Sequence, residues 1–334
     1  MKLSSVLLGI LVTAAANAQE TTIMGFVDVD YLASDNKANR PAFFLGQYDH
    51  YITSEITERV SFLGESVFEF DEDHFAVDVE RIIIKYNFAD YFNILAGKHH
   101  TPIGYWNNAY HHGTVLQPTT RRPLLFYFED EGGILPIHTT GVMFSGSNIS
   151  SACLGYDLLI GNGIGSTPIS DNDNAKSVTF RLRANPRQGL EIGASAYIDG
   201  IAANSLNQSG DTLHESIDQK LWNGYVTYFY GPVEFAGEFV SSSNTSASAG
   251  TKTTTGYYVY AGYRLGTFVP YVRLDELRFE SGEEYYKPSN VRLVVIGIRQ
   301  EISYIAAMKL EYRNVKRQND RAANEMTLQF AVGF

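Results

Sequence analysis

The chain has 334 residues, with 37 Asp and Glu against 26 Lys and Arg, a formal net charge of −11 and a single cysteine, Cys153. This acidic balance argues against nucleic acid as a partner, because phosphate backbones favour a basic face. One cysteine allows neither an internal disulfide nor a Cys/His zinc pattern.

Taken from the start, Lys2, the apolar run from Val6 to Val12 and the small-residue site Ala16-Asn17-Ala18 describe a secretory signal peptide over residues 1–18. The run is too short for a membrane-spanning helix, which needs about 20 apolar residues. Removing Lys2 with this segment leaves the remainder one unit more acidic. No linker or change of composition divides residues 19–334, which predicts a single domain. Past residue 18 no apolar run is long enough for a transmembrane helix, so a membrane role would fall to strands. The 22 Tyr and 20 Phe, against 2 Trp, suit pleated, half-buried surfaces.

The hydrophobic period is two along most of the chain. Val178, Phe180, Leu182 and Ala184 alternate with Ser177, Thr179, Arg181 and Arg183; Val233, Phe235 and Phe239 oppose Glu234 and Glu238; Met308, Leu310 and Tyr312 oppose Lys309, Glu311 and Arg313. The pattern predicts about sixteen strands: 22–33, 42–53, 59–70, 75–87, 91–99, 139–147, 151–161, 176–185, 190–201, 218–230, 233–241, 254–265, 268–278, 290–300, 303–314 and 325–334. In 75–87 and 290–300 the two faces are ambiguous, and a bulge would switch their phase.

The connections alternate in kind. Tight ones at 54–58, 89–90, 148–150, 187–189, 231–232, 266–267 and 301–302 separate longer polar segments at 34–41, 100–138, 162–175, 202–217, 242–253, 279–289 and 315–324; only 71–74 breaks the rule. Short turns at one end and long loops at the other fit a closed antiparallel transmembrane β-barrel. Tyr86, Phe88, Tyr91, Phe92, Phe229, Tyr230, Tyr263, Phe268 and Tyr304 gather beside the short turns, where an aromatic girdle would meet the membrane interface. In hydrocarbon an unpaired backbone N–H or C=O costs several kcal/mol. Closure must therefore pair the first strand with the last, whose alternation runs without a slip to Phe334.

Residues 97–123, GKHHTPIGYWNNAYHHGTVLQPTTRRP, carry a local pattern: Gly97-Lys98 at a strand end, Thr101-Pro102-x-Gly104 followed by Tyr105, His112-Gly113, and Arg122-Pro123. With the strand before it, this segment resembles Gram-negative outer-membrane porins, and loosely the phosphate-selective porin group. The resemblance implies a location in the outer membrane and a passive channel for small polar solutes or ions. It implies that loop 100–138 folds inward and forms a constriction, holding Arg121, Arg122, Glu129, Asp130 and Glu131. It also suggests a homotrimer, and Phe334 resembles the terminal aromatic signal read by barrel assembly machinery. Strand parity places Arg181, Arg183, Glu234, Glu238, Arg273, Lys309, Glu311 and Arg313 on the lumen side. Arg121 and Arg122 either line the pore or pin the loop against Glu129–Glu131. The mixed signs depart from the basic path expected of phosphate-selective relatives, and a weak cation preference fits as well.

His99, His100, His111 and His112 are the one cluster with metal-ligand chemistry. Adjacent strand residues face opposite ways, so each pair offers at most one ligand to a given side. Polar loop or rim histidines are the plainer reading, and no cofactor is expected. There is no GxSxG, HExxH or Walker loop, and the sequence predicts no enzyme. The rival reading is a plugged barrel acting as a scaffold or receptor through its outer loops.

Overall fold

The computed structural model describes residues 20–36, 40–70, 75–111, 113–128, 131–163, 171, 175–287 and 289–334; the predicted signal peptide lies outside them. The period-two segments form sixteen strands: β1 (Glu20–Ser34), β2 (Ala42–Glu55), β3 (Val60–Phe70), β4 (Phe75–Ala89), β5 (Phe92–His100), β6 (His138–Ile149), β7 (Leu154–Gly161), β8 (Ser177–Arg187), β9 (Leu190–Ile201), β10 (Ile217–Tyr230), β11 (Val233–Ser246), β12 (Gly250–Tyr263), β13 (Phe268–Phe279), β14 (Val291–Ser303), β15 (Ala306–Arg317) and β16 (Ala323–Gly333). Each pairs antiparallel with its neighbour in sequence, and β1 pairs with β16 to close the barrel.

The seam runs from Phe26↔Gly333 to Ser34↔Glu325. Past the last strand residue, Gly25 N–H donates to the Phe334 carbonyl and Phe334 N–H donates to the Gly25 carbonyl, both at 2.9 Å. The Phe334 ring lies over Gly25, with its centroid 6.2 Å from those of Tyr48 and His50. From Gly25 to Ser34 no edge is left at this junction, as a sheet in hydrocarbon requires, while Glu20–Met24 run on past Phe334 and pair with β2 alone.

The alternation sorts by face. On β16 Met326, Leu328 and Phe330 are exposed, while Thr327, Gln329 and Ala331 are buried. On β15 Met308, Leu310 and Tyr312 point out, and Lys309, Glu311 and Arg313 are buried inside. A sheet with an apolar exterior and a polar interior is the reverse of a water-soluble barrel. Tyr86, Phe88, Tyr91, Tyr230, Tyr263, Phe268 and Tyr304 are exposed beside the short turns. Phe229 departs from that girdle: it points inward and packs against the buried interior cluster.

Two strands read as ambiguous have different causes. β4 holds a bulge, since Glu65 pairs with Arg81 and Ser66 with Val79, leaving Glu80 as the extra residue. The outward set therefore shifts from Val77 and Val79 to Ile82, Ile84 and Tyr86. In β14 the phase is regular, with Ile296 and Ile298 outside; the confusion arises because Val291, Leu293 and Val295 are apolar yet point inward. The segment 242–253, read as a long loop, is corrected: β11 continues to Ser246 and β12 begins at Gly250. Its Ser/Thr-rich composition is polar on both faces, so no alternation announced a strand.

Candidate functional site

The lumen contains a folded insert. Residues 101–137 leave β5, enter the barrel and return to β6, with His100 and His138 belonging to the strands themselves. The insert begins with Thr101-Pro102-Ile103-Gly104. Gly104 has φ +66°, and a Cβ there would collide with the Glu238 carboxylate, so only glycine fits. A one-turn helix, α1 (Trp106–Ala109), follows, and a 3₁₀ turn spans Leu124–Phe126.

Wall charges hold this insert by its backbone. Glu238 accepts the Tyr105 N–H, the Trp106 N–H and the Tyr258 hydroxyl, each at 2.8 Å. Glu311 accepts the Thr120 N–H at 3.0 Å, and the Thr120 and Tyr271 hydroxyls at 2.8 Å. Asp275 accepts the Leu124 N–H at 3.0 Å and pairs with Arg273 at 2.8 Å. Arg273 also donates to the carbonyl of Arg121 at 2.7 Å, and Lys309 donates to those of Thr114 and Thr119. Arg299 reaches the Pro118 carbonyl at 3.2 Å and pairs with Glu234 at 2.8 Å. Arg181 reaches the Gly104 carbonyl at 3.3 Å, and Asp157 bridges Arg181 and Arg183. Arg313 donates to the Tyr127 hydroxyl at 3.0 Å. An irregular segment inside a barrel carries backbone groups that need partners, and these ionic side chains supply them.

Apolar packing completes the seat. Ile103, Trp106, Leu124, Leu125, Phe126 and Ile134 form one buried cluster with Tyr258, Tyr271, Leu277, Leu293 and Val295 of the wall. This explains the apolar interior of β14. Burial in the insert holds the Tyr105 and Tyr110 phenols above their usual range, so both remain neutral.

The residues expected at a constriction separate. Arg121 is half-buried and lines an open cavity. Arg122 is buried; it donates to the His111 carbonyl at 2.8 Å and the Phe126 carbonyl at 3.1 Å, and stacks 4.0 Å over the Phe128 ring. Glu131 is exposed and accepts the Phe128 N–H at 3.2 Å. Glu129 and Asp130 lie outside the described residues, as does His112.

Open space lies on both sides of the insert. A cavity of about 610 Å³ at the long-loop end is lined by Asp35, Arg121, Tyr127, Arg313, Arg317, Asp320, Arg321 and Glu325. A second, of about 520 Å³ at the short-turn end, is lined by Glu20, Glu55, Arg81, Lys85, His99, His100 and Asn108. A third, of about 210 Å³, shares Arg81, His100 and Asn108 with the second and adds Phe26, Tyr51, His111 and Leu116. The insert thus packs tightly on β9–β14 and on Lys309 and Glu311 of β15, and open space borders it along β1–β5 and at the long-loop ends of β15 and β16. Sequence parity had found the inward charges without showing that the insert covers many of them. Arg81 and Lys85 were missed because the β4 bulge hides their phase.

No protein-family model matches the chain, and no curated protein matches it in sequence. Solved structures do share its fold. An anion-selective porin from Comamonas acidovorans superposes with a TM-score of 0.71 at 11% identity, covering 94% of this chain and 99% of that one. OmpF of Salmonella typhi in complex with daunomycin gives 0.68 at 11% identity, covering 96% and 99%. OmpT of Vibrio cholerae in its trimer form, an outer-membrane protein, gives 0.67 at 12% identity, covering 94% and 99%. The fold is that of the outer-membrane porins.

Proposed function

We propose that the protein is an outer-membrane porin: a passive diffusion channel for small polar solutes or ions, filtered where the 101–137 insert approaches β1–β5. The observation that carries this reading is the pair of charge-lined cavities, one on each side of the insert. Such linings favour hydrated, polar cargo and disfavour apolar cargo. Arg121, Arg313, Arg317 and Arg321 on one side, and Arg81 and Lys85 on the other, are the cations that line these cavities. Asp35, Asp320 and Glu325 beside the first group, with Glu20 and Glu55 beside the second, nearly balance them, so charge selectivity is weak. Buried members of the inward set, such as Glu238, Glu311 and Arg273, act by holding the filter in place. Residues 1–18 serve export, and Phe334, exposed at the rim, serves recognition by the assembly machinery. Assembly as a homotrimer is part of the same proposal, supported by the shared fold.

A second reading has its own support. The insert touches the wall from β1 and β4 round to β16, which suits a plugged barrel acting as a receptor or scaffold. Single-channel recording in planar bilayers separates the two. Steady ohmic steps are expected; folded protein that inserts but stays silent over a wide voltage range would favour the plug.

A further inference from the structure

Glu80, His100, His111 and His138 arrive from four different places and meet. The bulge of β4 turns Glu80 into the lumen. His100 and His138 sit directly opposite each other in the β5–β6 register, which puts them on one face. His111 reaches them from the insert. One ligand atom from each of the four lies within 4.8 Å of every other. His138 Nε2 is 2.5 Å and His111 Nε2 is 3.8 Å from Glu80 Oε2. The His100 and His111 rings stack at 3.8 Å.

The surroundings fix one imidazole for ligation. Asn107 donates through Nδ2 to the carbonyls of Thr101 at 2.9 Å and Ile137 at 3.1 Å, which leaves Oδ1 as its acceptor. His111 Nδ1 lies 2.8 Å from that oxygen and must therefore carry the proton. Its Nε2 then faces the cluster as a lone pair. Outer partners of this kind orient the histidines of metal sites. Glu80 and His111 are almost fully buried, whereas His100 lines both the 520 Å³ and the 210 Å³ cavities, which gives an ion a route in.

We propose that these four residues bind one divalent transition-metal ion. Three imidazoles and one carboxylate suit Zn²⁺, Co²⁺, Ni²⁺ or Cu²⁺, and not the all-oxygen preference of Ca²⁺ or Mg²⁺. Three ligands belong to the wall and one to the insert, so the ion ties the insert to β4–β6 beside the open side of the lumen. The binding claim stands without the channel reading; an effect of metal on current would depend on both.

Detergent-solubilised full-length barrel, stripped with a chelator, is titrated with Co²⁺ and then with Zn²⁺. About one equivalent of Co²⁺ is expected to give the visible d–d absorption of a low-coordinate, nitrogen-rich site, and Zn²⁺ is expected to abolish it. His111→Ala and His138→Ala, checked for barrel structure by circular dichroism, are each expected to weaken binding by about 10-fold or more. A wild-type spectrum that stays that of the hexaaquo ion would overturn the proposal. So would an unchanged affinity in both folded variants, which would mark the ion as adventitious.

Discussion

If ionic wall residues hold the insert, removing Glu238 should loosen it while leaving the barrel closed. Glu238→Ala takes one acceptor from three donors at 2.8 Å: the N–H groups of Tyr105 and Trp106, and the Tyr258 hydroxyl. A buried donor left without a partner costs about 1–3 kcal/mol. Taking the low figure for each, the seated insert loses about 3 kcal/mol. That shifts its local opening equilibrium about 100-fold. The chain has 2 tryptophans, and Trp222 lies exposed on the outer face. In a Trp222→Phe background Trp106, buried to 1% exposure, becomes the sole reporter. Acrylamide quenching of its fluorescence should rise markedly in Glu238→Ala, and amide exchange over 103–110 should quicken. The thermal melting of the strands should move little, since the backbone ladder on both sides of Glu238 is kept and only the side-chain bonds from Tyr258 and Asn223 are lost between strands. Glu238→Gln, which keeps one acceptor oxygen, should fall between. Quenching and exchange identical to the parent in folded Glu238→Ala would refute the view that this carboxylate seats the insert.

Three further outcomes are expected. Leu328→Arg places a charge on the outward face of β16 and should cost about 2–4 kcal/mol in refolding titrations from lipid vesicles; no loss there would mean that this face does not meet hydrocarbon. Gly25→Ala drives a methyl group into the Phe334 ring and to within 2.8 Å of the Asp49 carbonyl, and should destabilise the seam by about 1–3 kcal/mol. The readout is urea-induced unfolding, and truncating Phe334 to Ala in the same chain should relieve much of the clash. Arg121→Glu replaces a cation that lines the long-loop cavity, and should move the reversal potential in a salt gradient toward cation selectivity; an unmoved potential places Arg121 off the permeation path.

Strand number, order and facing were legible because lipid imposes a simple rule. Outward residues that meet hydrocarbon must be apolar and every backbone group there must pair within the sheet, so period two persists along most of each strand. Met326, Leu328 and Phe330 announced their face without any partner being known. The rule fails where a residue answers to something other than lipid. Leu293 and Val295 are apolar and inward because they meet Leu124 and its neighbours, and Ser241–Ser246 are polar on both faces although Ser242, Asn244 and Ser246 are the buried ones. The inward loop was expected only through resemblance; its length alone marked it as unusual.

The sequence by itself thus determined the barrel: one amphipathic sheet whose first and last strands have no other way to satisfy their edges. Tertiary structure alone decided what fills it. Which charges face open water and which clamp the insert depends on contacts between residues more than a hundred positions apart, such as Glu238 with Tyr105 and Glu311 with Thr120. The histidine cluster shows the same division. Four histidines within a short stretch drew attention to 99–112, yet the residues that converge include Glu80 and His138, which no local pattern joins. A one-residue bulge in β4 and the β5–β6 register bring them together, because side-chain direction in a sheet is set by pairing and not by proximity in the chain.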